Sequence, residues 1–262
     1  DIFLVKYDAA GNVLWIKQAG TENGQDIGYG TITDSQNNVY ITGHFEGSGT
    51  FDTVSVNAGV YIAKYDLNGK LIWVRSGGSN ISCNFYSIGV DAADNIYTAG
   101  NIADGKIIFG NDTLTAAKSD MMVCKFKSDG NKIWLRKFEG SNEEYATTLR
   151  VDPAGNAYIG GYSYSKEIDF GPYHFTSYGD ADAFVTKVND AGDIVWVKQI
   201  GGKSQDGGPA GLFHPANIGI DATGKVYFKT SISSDPVYVG INKADSVINN
   251  GSTLLFKTGM SL

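Results

Sequence analysis

The chain has 262 residues, 42% of them apolar, 12% aromatic and 19% charged, with a formal charge of −7. It is too hydrophobic for disorder and too interrupted for a membrane-spanning helix, and its scattered lysines lack the basic footprint that displaces counterions from nucleic-acid phosphates. Thirty-four glycines against five prolines, with 15 tyrosines, fit many short strands joined by tight turns.

In chain order, the apolar runs Phe3-Leu4-Val5 and Leu14-Trp15-Ile16 read as two strands, c and d, of a first partial unit, 1–26. Unit 27–83 is complete, with strand a predicted near Ile27 to Thr33, b near Val39 to Thr42, c near Tyr61 to Tyr65 and d near Leu71 to Ser76. The same order recurs in 84–144 and 145–206. Unit 207–262 carries a, b and c only, the last around Thr253 to Lys257. Continuous apolar strands are expected where both faces of a sheet are covered, as when blades stack around an axis.

The period rests on two residue types. Trp15, Trp73, Trp134 and Trp196 are separated by 58, 61 and 62 residues, and Lys6, Lys64, Lys125 and Lys187 repeat with the same spacings. Turn chemistry repeats with them. Gly11, Gly69, Gly130 and Gly192 close the c–d turns, where a type I turn plus bulge needs positive φ. Asp34, Asp91, Asp152 and Asp221 open the a–b turns, which Asn37, Asp94, Gly155 and Gly224 close. Cys83 and Cys124 match neither a disulfide framework nor a zinc motif, and Cys124, in Met121-Met122-Val123-Cys124, reads as a buried thiol.

The pattern W-x-K/R, then glycine, an Asp-led turn and N-x-Y-x-T-G, followed by F-D or F-G and F-V-x-K-Y-D, resembles the seven-bladed β-propeller repeat family, the SBBP repeats. The resemblance implies an all-β fold, a β-propeller of four-stranded antiparallel blades with about four repeats present, a segment of a larger, seven-bladed ring. An alternative joins c and d of residues 1–18 to a and b near 217–231 in a small closed ring. The resemblance also implies bacterial export and a secreted or cell-surface location, with further repeats or a sorting domain outside this chain.

In an up-and-down blade the a–b and c–d turns share one face, and the longer b–c and d–a connections gather on the other, where binding normally resides. Residues recurring in every unit are read as scaffold. By that filter the repeated lysines lie along blade interfaces with packed stems. Asp1, Asp120 and Asp182, each five residues before the repeated lysine, and Asp26, Glu144 and Asp206, after the tryptophans, are likewise architecture.

Three features survive. The excursion GYSYSKEIDFGPYHFTSYGD groups Tyr162, Tyr164, Phe170, Tyr173, His174, Phe175 and Tyr178. Exposed, these would stack on sugars or anchor a protein partner; alternatively several line a satellite core beneath the loop. The connection KSQDGGPAGLFHPAN carries Phe213 and His214, either as a recognition loop or as a cap. The tripeptides Asp52-Thr53-Val54, Asp112-Thr113-Leu114 and Asp245-Ser246-Val247 resemble an Asp-Ser/Thr-aliphatic O-glycosylation acceptor, making Thr53, Thr113 and Ser246 candidates. His44, His174 and His214 fall in long connections of different units without paired ligand spacing, so no metal and no cofactor is expected.

No nucleophile elbow, metalloprotease helix, P-loop, dinucleotide fingerprint or EF-hand is present. The favoured function is a binding or adhesion propeller engaging a glycan or protein at the cell surface through its long-connection face. A passive spacer or exported cargo domain is the alternative. A polysaccharide hydrolase or lyase using a non-repeating carboxylate such as Asp169 is the second.

Overall fold

The computed structural model describes residues 1–22, 24–78, 83–109, 112–208 and 216–240, with the backbone of strands at 245–247 and 254–258. In chain order the strands are β1 (Ile2–Tyr7), β2 (Val13–Gly20), β3 (Asp26–Thr33), β4 (Val39–Phe45), β5 (Gly49–Phe51), β6 (Val54–Val56), β7 (Gly59–Tyr65), β8 (Leu71–Gly77), β9 (Cys83–Val90), β10 (Ile96–Phe109), β11 (Asp112–Phe126) and β12 (Lys132–Gly140). They continue as β13 (Glu144–Val151), β14 (Ala157–Ser163), β15 (Glu167–Phe170), β16 (Tyr173–Thr176), β17 (Asp182–Val188), β18 (Ile194–Gly201), β19 (Asn217–Ile220), β20 (Val226–Thr230), β21 (Val237–Val239), β22 (Asp245–Val247) and β23 (Leu254–Thr258).

Three antiparallel a-b-c-d meanders stand side by side: β3-β4-β7-β8, β9-β10-β11-β12 and β13-β14-β17-β18. Before them come β1-β2, as c and d; after them come β19-β20-β23, as a, b and c. The first strands β3, β9, β13 and β19 adjoin one another in series, so strand a is innermost in each blade. The small-ring alternative is not adopted, because β20 pairs with β23 and not with β1.

The b–c connections are more regular than the sequence suggested. Each is a β-hairpin, and three of them extend the outer edge of the preceding blade: β5 pairs with β2, β15 with β12 and β21 with β18. The remaining one prolongs β10 and β11 outward, and Phe109 from its tip fills the space a side chain at Gly77 of β8 would need. Edge strands are thereby covered and neighbouring blades clamped together.

The turns have the predicted chemistry. Asp34 Oδ1 accepts from the backbone of Gln36 and Asn38 at 3.0 and 2.9 Å, while Oδ2 accepts from the Asn38 amide and the Tyr40 hydroxyl. Asp91, Asp152 and Asp221 bind their own turns and the hydroxyls of Tyr97, Tyr158 and Tyr227 in the same way. All eight closing residues named above have φ between 60 and 89°.

Trp and Lys repeat because they join one blade to the next. The indole N–H of Trp15, Trp73 and Trp134 donates to the carbonyl of Leu67, Ser128 and Asp190, each in the c–d turn of the following unit. The turn glycine lies against that indole: a Cβ at Gly69, Gly130 or Gly192 would come within 2.8, 3.0 or 3.0 Å of it. Lys64 reaches Asp34 of its own a–b turn at 3.3 Å and the Ser128 carbonyl of the next c–d turn at 3.2 Å. Both kinds of tight turn therefore lie on one face.

Core clusters run between blades, as expected of stacked sheets. One joins Tyr40, Val60 and Ile62 to Phe85, Ile96 and Phe126; the next joins Tyr97 and Met121 to Leu149, Ile159 and Phe184. All seven residues of β7 are buried. The exception is the outer face of β1–β2. Phe3 is 71% exposed, whereas its register equivalents Tyr61, Met122 and Phe184 are 0%, 0% and 1% exposed. Both cysteines are free and buried, and burial pushes the Cys83 thiol up to about 11.

Candidate functional site

The sequence-predicted residues do not form one site. In the β15–β16 hairpin, alternation turns Ile168, Phe170 and Phe175 inward and Glu167, Asp169 and His174 outward. Phe170, expected among ligand-binding residues, is fully buried between Phe138, Phe175 and Phe184. A side chain without exposed surface cannot take a ligand, and Phe170 and Phe175 belong to the inter-blade core around Tyr97, Leu149 and Phe184, not to a separate core beneath the loop. Tyr173 is half-buried and donates to the Val195 carbonyl at 2.5 Å. Tyr178 is half-buried, donates to the Gly240 carbonyl and packs on Tyr238.

His174 is exposed, its Nδ1 2.6 Å from Asp169 and its Nε2 2.9 Å from Glu167, and those carboxylates raise its pKa. Among the described residues no group of three or more His, Cys, Asp and Glu is placed to hold a metal ion. Phe213 and His214 lie outside the described residues.

The recurring acids act as brackets. Asp26 holds the Thr21 backbone N–H at 2.7 Å, Glu144 the Ser163 hydroxyl at 2.9 Å, and Asp206 the Gly202 N–H at 2.8 Å. Asp182 accepts from Tyr178 N–H, Ser177 and Gln199, and Asp120 pairs with Lys137 at 2.9 Å. A 360 Å³ cavity beside Lys118, Asp120, Lys137, Glu139 and Asn142 is lined by groups largely bonded to one another.

Tyr162 and Tyr164, by contrast, belong to a band of tyrosines across the inner strands. Each a-strand of the three full blades carries a β-bulge at one register, leaving Tyr29, Tyr86 and Thr147 without a cross-strand partner. Such a bulge interrupts the ladder and re-aims the side chain. Next to each bulge a glycine of strand b, Gly43, Gly100 or Gly161, packs so closely that a Cβ would lie 1.7–1.8 Å from a carbonyl oxygen of strand a. The residue after that glycine differs in every blade: His44 opposite Ile27, Asn101 opposite Asn84, Tyr162 opposite Tyr145.

These variable positions meet at the long-connection end of the inner strands. The Tyr29 ring lies 6.0 Å from His44 in its own blade and 4.9 Å from Tyr86 in the next. Tyr145 stacks on Tyr162 at 5.0 Å, and Tyr162 meets Tyr164 edge-on at 5.8 Å. Tyr86 sits between the two groups; burial foremost, then the phenols of Tyr29, Tyr162 and Tyr145, raise its pKa. Polar groups are interspersed. Tyr29 donates to Asn84 at 3.4 Å, Asn84 to Asn101 at 3.4 Å, Asn101 to Ser119 at 2.7 Å and Gln205 to Tyr164 at 2.5 Å. Tyr145, its phenol pushed up to about 12 chiefly by burial, donates to Glu143 at 3.0 Å. Burial lowers the pKa of His44, and among the described residues its Nδ1 has no hydrogen-bond partner.

Neutral phenols, amides and an imidazole in this arrangement can stack and hydrogen-bond a ligand. Sequence reasoning singles out none of Tyr29, Asn84, Tyr86, Asn101 and Tyr145: four fall within strand a, and Asn101 lies just past the predicted end of strand b. Comparing Gly43-His44, Gly100-Asn101 and Gly161-Tyr162 across units would have found the variable register.

Among known proteins, the chain is 24% identical over 238 residues to an uncharacterized WD repeat-containing protein of Acanthamoeba polyphaga mimivirus, covering 75% of this chain and 17% of that protein. It thus spans about one sixth of that relative's length. A crystal structure of a protein of unknown function from Bacteroides caccae aligns over 97% of this chain and 93% of its own, with 10% identity and a TM-score of 0.40. Residues 14–44, from the first c–d turn strand through the first a–b pair, match the beta-propeller repeat model SBBP. The chain is all-β, built as a propeller of antiparallel four-stranded blades, and its residues 14–44 match a beta-propeller repeat model.

Proposed function

We propose that the chain is a secreted or cell-surface binding propeller that engages its partner through the tyrosine band at the inner ends of its long connections. One observation carries this reading: where the backbone is the same in three blades, the residue after the strand-b glycine differs in each (His44, Asn101, Tyr162), and with the bulge residues Tyr29 and Tyr86 these positions gather into an aromatic and amide surface. Scaffold positions repeat, so positions that vary at a fixed backbone geometry are free to serve recognition. The location rests on the resemblance of the repeats to those of exported bacterial proteins.

The test compares wild type with Tyr29→Ser/Tyr86→Ser/Tyr162→Ser on glycan and peptide arrays, with Tyr7→Ser/Leu67→Ser as a control distant from the band. Loss of recognition in the band variant alone is expected. Equal binding by all three proteins refutes the reading, and binding by none favours the spacer. Thr53 at the β5–β6 turn and Thr113 at the start of β11 are exposed on outward hairpins, which suits O-glycan acceptors. Intact-mass measurement of the exported protein and its Thr53→Ala/Thr113→Ala variant checks this, with identical masses apart from the substitutions counting against it. The Ser246 side chain lies outside the described residues.

A further inference from the structure

We infer that the ligand of the tyrosine band is a neutral, extended glycan lying across three adjacent blades. This rests on the binding reading above and names its ligand class.

The first argument is hydrogen-bonding capacity. Tyr86 and Tyr162 are half-buried, yet among the described residues neither hydroxyl has a protein partner, and neither is sealed from solvent. A phenol fixed by packing, with an open hydroxyl, is paid for in part already: its ordering cost does not fall on binding. Tyr29 bonds Asn84 and lies beside His44, and Tyr164 accepts from Gln205, so phenols alternate with amides and an imidazole along the band. Sugar hydroxyls, each both donor and acceptor, match that alternation, and sugar C–H faces match the aromatic rings.

The second argument is charge. Glu46 and Asp26 lie close enough to favour protonation of His44, and Glu143 accepts from Tyr145 and faces the Tyr164 phenol. Carboxylates thus flank the band, and the whole chain carries −7. A polyuronate or sulfated chain would meet like charge there. A proline-rich peptide needs apolar slots between aromatic rings, whereas here the spaces between the rings hold amides and an imidazole.

The third argument is shape. Two groups of rings, His44, Tyr29 and Tyr86 in one and Tyr145, Tyr162 and Tyr164 in the other, lie across three blades whose inner strands pack in series, β9 against both β3 and β13. A chain of sugar units engages them together, and a monosaccharide reaches only one group.

Isothermal titration of the whole chain with neutral gluco-, xylo- and manno-oligosaccharides, from mono- to hexasaccharide, tests the inference, with oligogalacturonates of matching length as anionic probes. Wild type is expected to bind at least one neutral series, more tightly as length increases, and to leave the oligogalacturonates unbound. Tyr86→Phe keeps the ring and its packing, so its thermal midpoint stays at the wild-type value, while the loss of one hydroxyl weakens binding about five-fold. No binding to any neutral series, equal binding to the uronates, or unchanged affinity in Tyr86→Phe overturns the glycan assignment. A proline-rich peptide bound at the band, and lost in Tyr86→Ala, overturns it too but leaves the binding reading standing. Partners indifferent to every band substitution remove both.

Discussion

The c–d turn supplies its own control for the idea that glycine is needed there for two separate reasons. Gly11, Gly130 and Gly192 have φ of 86, 82 and 89°, so alanine at any of them enters the left-handed region at a cost of about 1–2 kcal/mol. They differ in surroundings. A Cβ on Gly11 meets nothing within 4 Å. On Gly130 it would lie 3.0 Å from the Trp73 indole and 3.2 Å from Arg75 Cζ, and on Gly192 3.0 Å from Trp134 and 3.2 Å from Arg136 Nε. The two indoles are buried, and the indole N–H bond to the turn carbonyl resists their retreat, so overpacking adds about 1–3 kcal/mol. The entropy that alanine removes from the unfolded chain is common to all three and cancels in the comparison. Thermal unfolding of Gly11→Ala, Gly130→Ala and Gly192→Ala should give a small drop for the first and a larger one for the others, at about 2–4 °C per kcal/mol. Equal drops in all three would show that the blade-to-blade contact contributes nothing and that φ alone selects glycine.

Three further outcomes follow from burial and pairing. Phe170→Ala, from a fully buried site, should lose about 3–5 kcal/mol in urea unfolding. His174→Ala, on the outward side of the same hairpin, should stay within about 0.5 kcal/mol; a reversal of that order would place the hairpin the other way up. Lys125→Met strips the cation from Asp91, whose side chain is 4% exposed, and should cost about 3–5 kcal/mol. Lys6→Met removes only a bond to the Leu67 carbonyl and should cost about 1 kcal/mol, so similar losses in the two variants would refute the ion-pair account. Burial raises the Glu144 pKa against the bonds from Ser165 and Ser163. A carboxyl that holds its proton more tightly folded than unfolded makes stability fall as pH rises between its two pKa values. Glu144→Gln should therefore lessen the decline between mildly acidic and neutral pH, and a steeper decline in the variant would contradict the sign.

The blades were legible because their determinants are local or repeat. Trp and Lys keep one phase, and each turn announces itself by an Asp at its start and a residue tolerant of positive φ at its end. The hairpins in the b–c connections were not read, although Phe51, Val54 and Val56, or Ile168, Phe170 and Phe175, alternate as short strands do. They are three or four residues long, and only pairing with the outer edge of the preceding blade makes them strands. That long-range contact has no signature in the segment itself. The same limit hid the band. A bulge at Tyr29 depends on how Gly28 and Gly30 align with Gly43 and Thr42, and nothing in the triplet Gly28-Tyr29-Gly30 announces a skipped partner.

The two ends of the blades are wired differently, and the proposed binding role rests on that difference. At the turn end each repeated group answers to several others. Asp91 serves its own turn, Tyr97 and Lys125; Lys125 serves Asp91 and Asp190; Asp190 offers its carbonyl to Trp134. A substitution there disturbs two blades together, so the end is held to one solution in every unit. At the other end the bulge has already taken one residue per blade out of the ladder, and the adjoining glycine fixes the backbone without specifying the next side chain. Tyrosine, threonine, histidine and asparagine stand at these registers in different blades while the strands around them stay the same. Freedom to vary without loss of fold is what the proposed binding surface requires, and in this propeller the backbone confers it at the registers where the tyrosines gather.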